Sequence, residues 1–194
     1  MTNVKLSKEE SELVINADVI LTKNRIISKV YDLFGELSEE YQNMGPLFPS
    51  EVLSIHPKIS KGENYQGLPW VMLDHPRSFS NTDSFAVRSF FWWGHFFSCT
   101  LLLQGKYKDA YQLPIATYLK NNPEDWWICI AGDPWQHHFE ENNFIPYSGD
   151  MDVAQLSFIK LAKKIPLHQW DNSFQFFART FEQFGKMLST QPVK

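Results

Sequence analysis

Cysteine is scarce in this chain. Only Cys99 and Cys129 occur; they form no CxxC pair and fall at no zinc-ligand spacing, so neither a disulfide framework nor a cysteine-built metal centre is expected. Both sit in apolar, strand-like runs, where a reduced thiol behaves as a small buried hydrophobe. The common chemical signatures are missing as well: no GxGxxG, no GxxxxGK followed by Ser or Thr, no GxSxG, no HExxH, no EF-hand loop and no Asn-x-Ser/Thr. These absences remove nucleotide-binding, hydrolase and zinc-protease readings in their standard forms. No uncharged apolar run reaches the roughly 18 residues of a membrane helix, and the opening MTNVKLSKEESELV holds no apolar signal core. A cytoplasmic location and no membrane partner are therefore expected. Basic charge is not concentrated either: 18 Lys and Arg stand against 22 Asp and Glu. Without a basic stripe, nucleic acid is not an expected partner.

Aromatic rings are what the chain has in excess. Phe occurs 16 times and Trp 7 times, and such rings bring large buried area together with N–H and O–H edges that need partners when buried. A length of 194 residues suits one domain with a core of its own.

Taken in order, Ser7 and Glu10 form a capping box that opens a helix through about Asn16. A second helical pattern spans Asp18 to Gln42, with Val19, Ile26, Val30, Leu33, Leu37 and Tyr41 on one face; Gly45 and Pro46 stop it. Residues 46–67 read as a long connection with one helical turn near Ser50 to Ser54. Leu68 to Leu73 is a short strand with Pro69 at its start, and DHPRSFSNTD is a loop. Phe85 to Trp93 and His95 to Leu103 are strands with apolar character on both faces, separated by Gly94 as either a hairpin tip or a bulge. Pro114 starts a short helix to Asn121 that Pro123 closes, and Trp126 to Ala131 is another strand. Residues 153–165 fit a helix or a strand, with a strand at Ser157 to Lys163 preferred. Trp170, Phe174, Phe177, Phe181, Phe184 and Leu188 mark a last helix, capped by Asp171 or Asn172, and the tail beyond Ser189 frays. The expectation is one α+β domain over 1–194. A largely antiparallel sheet of four or five strands, within 68–165, is flanked by N-terminal helices over 7–43 and a C-terminal helix over 170–189.

Three clusters could carry chemistry. Asp133, His137, His138 and Glu141 follow a strand end; if Gln136 to Asn142 is helical, His137 or His138 shares a face with Glu141, giving candidates for acid/base catalysis or, for His137, His138 and Glu141, a metal. Against this, adjacent histidines point apart and the spacing gives no third ligand. Asp74, His75 and Arg77 sit together, where Arg77 either pairs with Asp74 or offers a fork to an anion. Arg88 lies mid-strand among aromatics and must snorkel, pair or reach a pocket, while His95 neighbours Gly94 at a bend. Of each Trp pair, Trp92-Trp93 and Trp126-Trp127, one ring faces each side of the sheet, one as core and the other as groove lining or helix cover.

At NYQGLPWVMLDHPRSF, FAVRSFFWWGHFF and DPWQHHFEENNF the chain resembles a family of uncharacterised bacterial proteins. That resemblance implies no activity, cofactor or site residue. Three functions remain compatible with the residues. The first is a binding domain for a small anionic or ring-containing ligand, using His75, Arg77, Arg88, Trp92, Trp93 and His95. The second is a metal-assisted or acid/base hydrolytic enzyme centred on Asp133 to Glu141. The third is a homodimeric interaction protein built on the N-terminal or last helix.

Overall fold

The chain begins with the capping box expected of it. Ser7 Oγ accepts from Glu10 N, Glu10 returns a carboxylate to Ser7 N, and the helix α1 runs Lys8–Val14. The structure is a computed structural model that describes residues 4–122, 125–149 and 151–189. Asn16 caps α2, Ala17–Asn43, through Asp18 N. Its packed face is Ile27, Val30, Phe34, Leu37 and Tyr41; Val19, expected on that face, is exposed. A turn of 3-10 helix at Gly45–Leu47 and the short α3, Ser50–Leu53, follow.

One antiparallel sheet organises the rest, and it has seven strands rather than four or five, in the order β1-β2-β3-β4-β7-β5-β6. The first extra strand, β1 (Lys58–Tyr65), lies in the second half of what reads as a connection. Its residues are wet because it is an edge: Lys58, Lys61 and Glu63 are the charges with which an open edge is protected from further pairing. The strand β2 is Leu68–Phe79 and runs through the segment expected as a loop. Its pairing to β3, Ser84–Trp92, continues past a bulge between Asp74 and Arg77. Turn-prone residues there make an irregular strand rather than a loop because β3 holds the ladder through Arg77, Ser78 and Phe79.

Gly94 is a hairpin tip. Trp92 pairs with Phe96, His95 N donates to Trp92 O at 3.1 Å, and Gly94 takes φ 75°, a value that favours glycine. The strand β4, Phe96–Gln104, leads into α4, Lys106–Asn121, which starts eight residues earlier than Pro114 suggests and carries that proline inside it. Its first N–H is capped from a distance, since Lys106 N donates to Asp83 Oδ1 at 2.9 Å. Gly105 permits this approach: a Cβ there would lie 2.1 Å from that same oxygen. No local pattern could announce such a cap. Pro123, expected to close α4, lies outside the described residues, as does the chain beyond Ser189. The remaining strands are β5 (Trp127–Cys129), β6 (Phe144–Pro146) and β7 (Phe158–Pro166), so residues 158–166 are extended, as preferred. A 3-10 stretch, Leu167–Asn172, precedes α5, Ser173–Ser189; Trp170 belongs to that stretch rather than to the helix.

The helices α2, α4 and α5 cover one face of the sheet. Phe177, Phe181 and Phe184 are buried there with Val71, Phe91, Phe97 and Leu101, and truncating one such ring costs about 3–5 kcal/mol. Tyr41 stacks on Phe181 with ring centroids 3.7 Å apart and shares a 2.8 Å hydrogen bond with Ser89 Oγ. Among the described residues no helix lies on the opposite face of the sheet. It is covered instead by the irregular segment between β5 and β6, and that is where the site lies.

Candidate functional site

Strand parity places Asp74, Arg88, Phe90, Trp92, Phe96 and Lys160 on this second face, since Asp74 pairs with Arg88, Trp92 with Phe96 and Leu102 with Lys160. The bulge after Asp74 sets two residues, His75 and Pro76, against one, Val87, so that Arg77 and Phe79 return to the same face as Asp74. Arg88 then sits in a frame. Its Nε donates to Asp74 Oδ1 at 2.7 Å and its Nη2 to Oδ2 at 3.3 Å. The guanidinium also lies 5.0 Å from the Trp135 ring and 5.8 Å from that of Phe79, within cation–π range. Arg88 is only 8% exposed. Its fork is therefore held in one orientation before any ligand arrives.

Residues 133–139 form a strap across the face. Asp133 Oδ1 accepts from Trp135 N at 2.9 Å and turns the chain. Tyr65, at the end of β1, accepts from both His137 N (2.7 Å) and His138 N (3.0 Å) through its hydroxyl. Lys160, 1% exposed, donates its ammonium to Gln136 O and lies over Phe144. Burial brings the Lys160 pKa down to about 8, with nearby Arg88 acting in the same direction. The His137 ring packs 4.8 Å from Phe90 and 5.6 Å from Tyr65. Burial holds it well below the usual imidazole range, assisted by the charges of Lys160 and Arg88, so His137 is neutral.

Between strap and strands lies a cavity of about 500 Å³, lined by Tyr65, Trp70, Arg88, Phe90, Trp135 and His137, with Lys58 and Ser60 of β1 on its rim. A site of this volume matches a small-molecule pocket, typically roughly 300–1,000 Å³. Gly62 fixes its outer wall. It pairs with Trp70 across the β1–β2 ladder, and the indole lies over the glycine so closely that a Cβ would be 2.5 Å from Trp70 Nε1.

The structure brings Arg88 and His137 to this cavity and disperses the other candidates. Trp92 is buried beneath Tyr65, whose carbonyl accepts from its Nε1 at 3.2 Å. His95 is exposed at the hairpin tip and stacks 3.6 Å over Trp92. Trp93 faces the helical side, near Phe91 and Ile26. Arg77 donates its Nε to His56 O, not to Asp74. His75 is buried on the helical side beside a second cavity of about 220 Å³ with Gln42, Leu53 and His56, and neither ring nitrogen has a hydrogen-bond partner. Gln136 to Asn142 is not helical, so Glu141 does not share a helix face with either histidine. His138 Nδ1 lies 3.7 Å from Glu140 Oε2 instead, and Glu141 is exposed. Among the described residues no group of three or more His, Cys, Asp or Glu is placed to hold a metal. The proposed metal set His137, His138 and Glu141 is thus not assembled, because the strap turns its two histidines to different environments.

Tyr65, Trp70, Phe90, Trp135 and Lys160 are the lining and fastening residues that sequence reasoning misses. Strand alternation sets Phe90 beside Arg88 on one face, a usable signal. Nothing local links Tyr65 to residues 72 positions later. Comparison of the chain with models of protein families, with curated proteins and with solved structures finds no match.

Proposed function

We propose that the protein binds a small, ring-bearing molecule with one acidic group in the cavity beneath the 133–139 strap. The observation that carries this reading is Arg88, a preset fork fixed by Asp74 and flanked by Trp135, standing at a cavity with aromatic walls. Such walls contribute stacking area, and the few polar groups set orientation. Charge favours an anion modestly: Arg88 and Lys58 line the cavity against the one carboxylate of Asp74, while His137 is neutral. The strap supplies a cover, since Trp135, 46% exposed, can close over a ring without unfolding anything.

The test uses indole-3-carboxylate and benzoate against their neutral amides, followed by tryptophan fluorescence and calorimetry. The acids should bind more tightly than the amides. Trp135→Ala and Lys58→Gln, both at positions open to solvent, should weaken the acids about tenfold each, about 1.4 kcal/mol. Equal behaviour of acids and amides removes the anionic part of the proposal; no binding of either removes the pocket reading.

A further inference from the structure

The strand β7 outruns its neighbour. Among the described residues β5 pairs only with its Leu161 and Ala162, so from Lys163 onward no strand lies beside β7 on that side. Lys163 and Ile165, two positions apart, share the helical face of the strand. Across from them the 3-10 stretch brings Gln169, and α5 brings Gln175, Arg179 and Gln183, which follow at steps of four and so share one side of the helix. Phe177, Phe181 and Phe184 of the same helix go to the core. The space left between is a cavity of about 510 Å³.

Its walls are chemically unlike those beneath the strap. Four of the polar side chains that line it, Gln169, Asn172, Gln175 and Arg179, make no hydrogen bond or ion pair among the described residues. The fold therefore does not use their donors and acceptors. The Thr180 hydroxyl, by contrast, is spent on Phe176 O at 2.8 Å. Charge is also one-sided. Lys163 and Arg179 line the cavity and no Asp or Glu does, in a chain of net charge −4. The carboxylates nearest along the chain are Asp171 and Glu182; neither is in the wall, and Glu182 is engaged by Lys186 at 2.7 Å.

These residue types select a ligand. A carboxamide offers donors and an acceptor together, and neighbouring hydroxyls on a ring present the matching set. A guanidinium fork takes a carboxylate or a phosphate. An apolar ligand would cover these groups without pairing them, which is costly. The apolar walls, Ile165 and Phe176, suit the C–H face of a saturated ring. We propose that the cavity between β7 and α5 is a separate small-molecule site for a sugar acid, a polyhydroxylated ring bearing one carboxylate or phosphate. Arg179 takes the acidic group, and Gln169, Asn172 and Gln175 read the hydroxyls. The site lies on the other side of the sheet from Arg88 and Trp135 and shares no residue with the strap cavity.

The experiment is titration calorimetry on the full chain with glucuronate and glucose 6-phosphate, against glucose and inorganic phosphate. One or both sugar acids should bind with a Kd of about 1 mM or below, and about tenfold more tightly than glucose or inorganic phosphate. Preference for glucuronate assigns the acidic group as a carboxylate, and preference for glucose 6-phosphate assigns it as a phosphate. Arg179→Gln should weaken the bound acid about tenfold and Gln175→Leu about threefold. Both positions are exposed, and circular dichroism with a melting curve checks that the variants fold. Trp135→Ala should leave this binding unchanged. The inference is overturned if neither acid binds at about 10 mM, or if glucose or inorganic phosphate binds as tightly as the sugar acid. It is overturned equally if Arg179→Gln has no effect, or if Trp135→Ala abolishes the binding and so moves it to the strap cavity.

Discussion

Asp74 and Arg88 stand directly opposite one another in the β2–β3 ladder, and their side chains close a two-point ion pair, 7% and 8% exposed. A buried pair is costly to desolvate, so its presence is weak evidence of stability; what it does here is hold a guanidinium at a cavity wall. Removing one partner leaves the other charged and buried. Asp74→Ala should therefore cost about 3–5 kcal/mol in urea denaturation, whereas Asp74→Leu/Arg88→Met should cost much less. If the double variant loses the sum of the two single losses, the pair is not coupled and Arg88 is held by Trp135 and Phe79 alone.

How far these features could be read from the sequence depends on their range. The capping box of Ser7 and Glu10, the Phe177–Phe181–Phe184 stripe and the two-sided strand around Arg88 are local, and periodicity finds them. The seven-strand sheet was only partly legible because β1 is a charged edge and β6 is three residues long, too short to show a period. The site resists further. Lys160 appears as one lysine in an ambiguous apolar run until β7 pairs with β4 and points it under the strap. Asp74 reads as a loop residue beside Arg77, yet its partner is Arg88, fourteen residues on, because the ladder passes through the bulge.

His75 gives a prediction in pH. Burial lowers its pKa from 6.5 to about 4, with the Arg77 charge adding to the effect. The unfolded chain therefore binds more protons than the fold between these values, and stability rises with pH across that window. Going down, the fold loses stability from about pH 6.5 until about pH 4, at no more than about 1.4 kcal/mol per pH unit for one histidine. His137 is depressed in the same direction and adds to the fall. His75→Phe removes two buried nitrogens that have no partner, a change that can stabilise. It should raise the melting temperature more at pH 4 than at pH 7 and flatten the profile relative to the wild type. Parallel profiles for the two proteins would show that His75 does not titrate as a buried neutral group.

The strap depends most on one hydroxyl. Tyr65 accepts two backbone N–H groups, those of His137 and His138, and no other residue ties the end of β1 to this segment by a side-chain hydrogen bond among the described residues. Tyr65→Phe keeps the ring contacts with Phe90 and Trp92 and removes only the acceptor. Two amides then lose their partner, at a cost of about 1–3 kcal/mol for a buried unsatisfied group. Because β2, β3 and β4 are untouched, that loss should appear as local opening rather than global unfolding. Hydrogen exchange should accelerate at least tenfold at residues 135–139 while the amides of 86–91 keep their wild-type protection. Lys160, fastened to Gln136 O, should limit the opening, so Tyr65→Phe/Lys160→Met should exchange faster still. If acceleration spreads equally through β3, the strap is part of the core's cooperative unit and cannot act as a separate cover for the cavity.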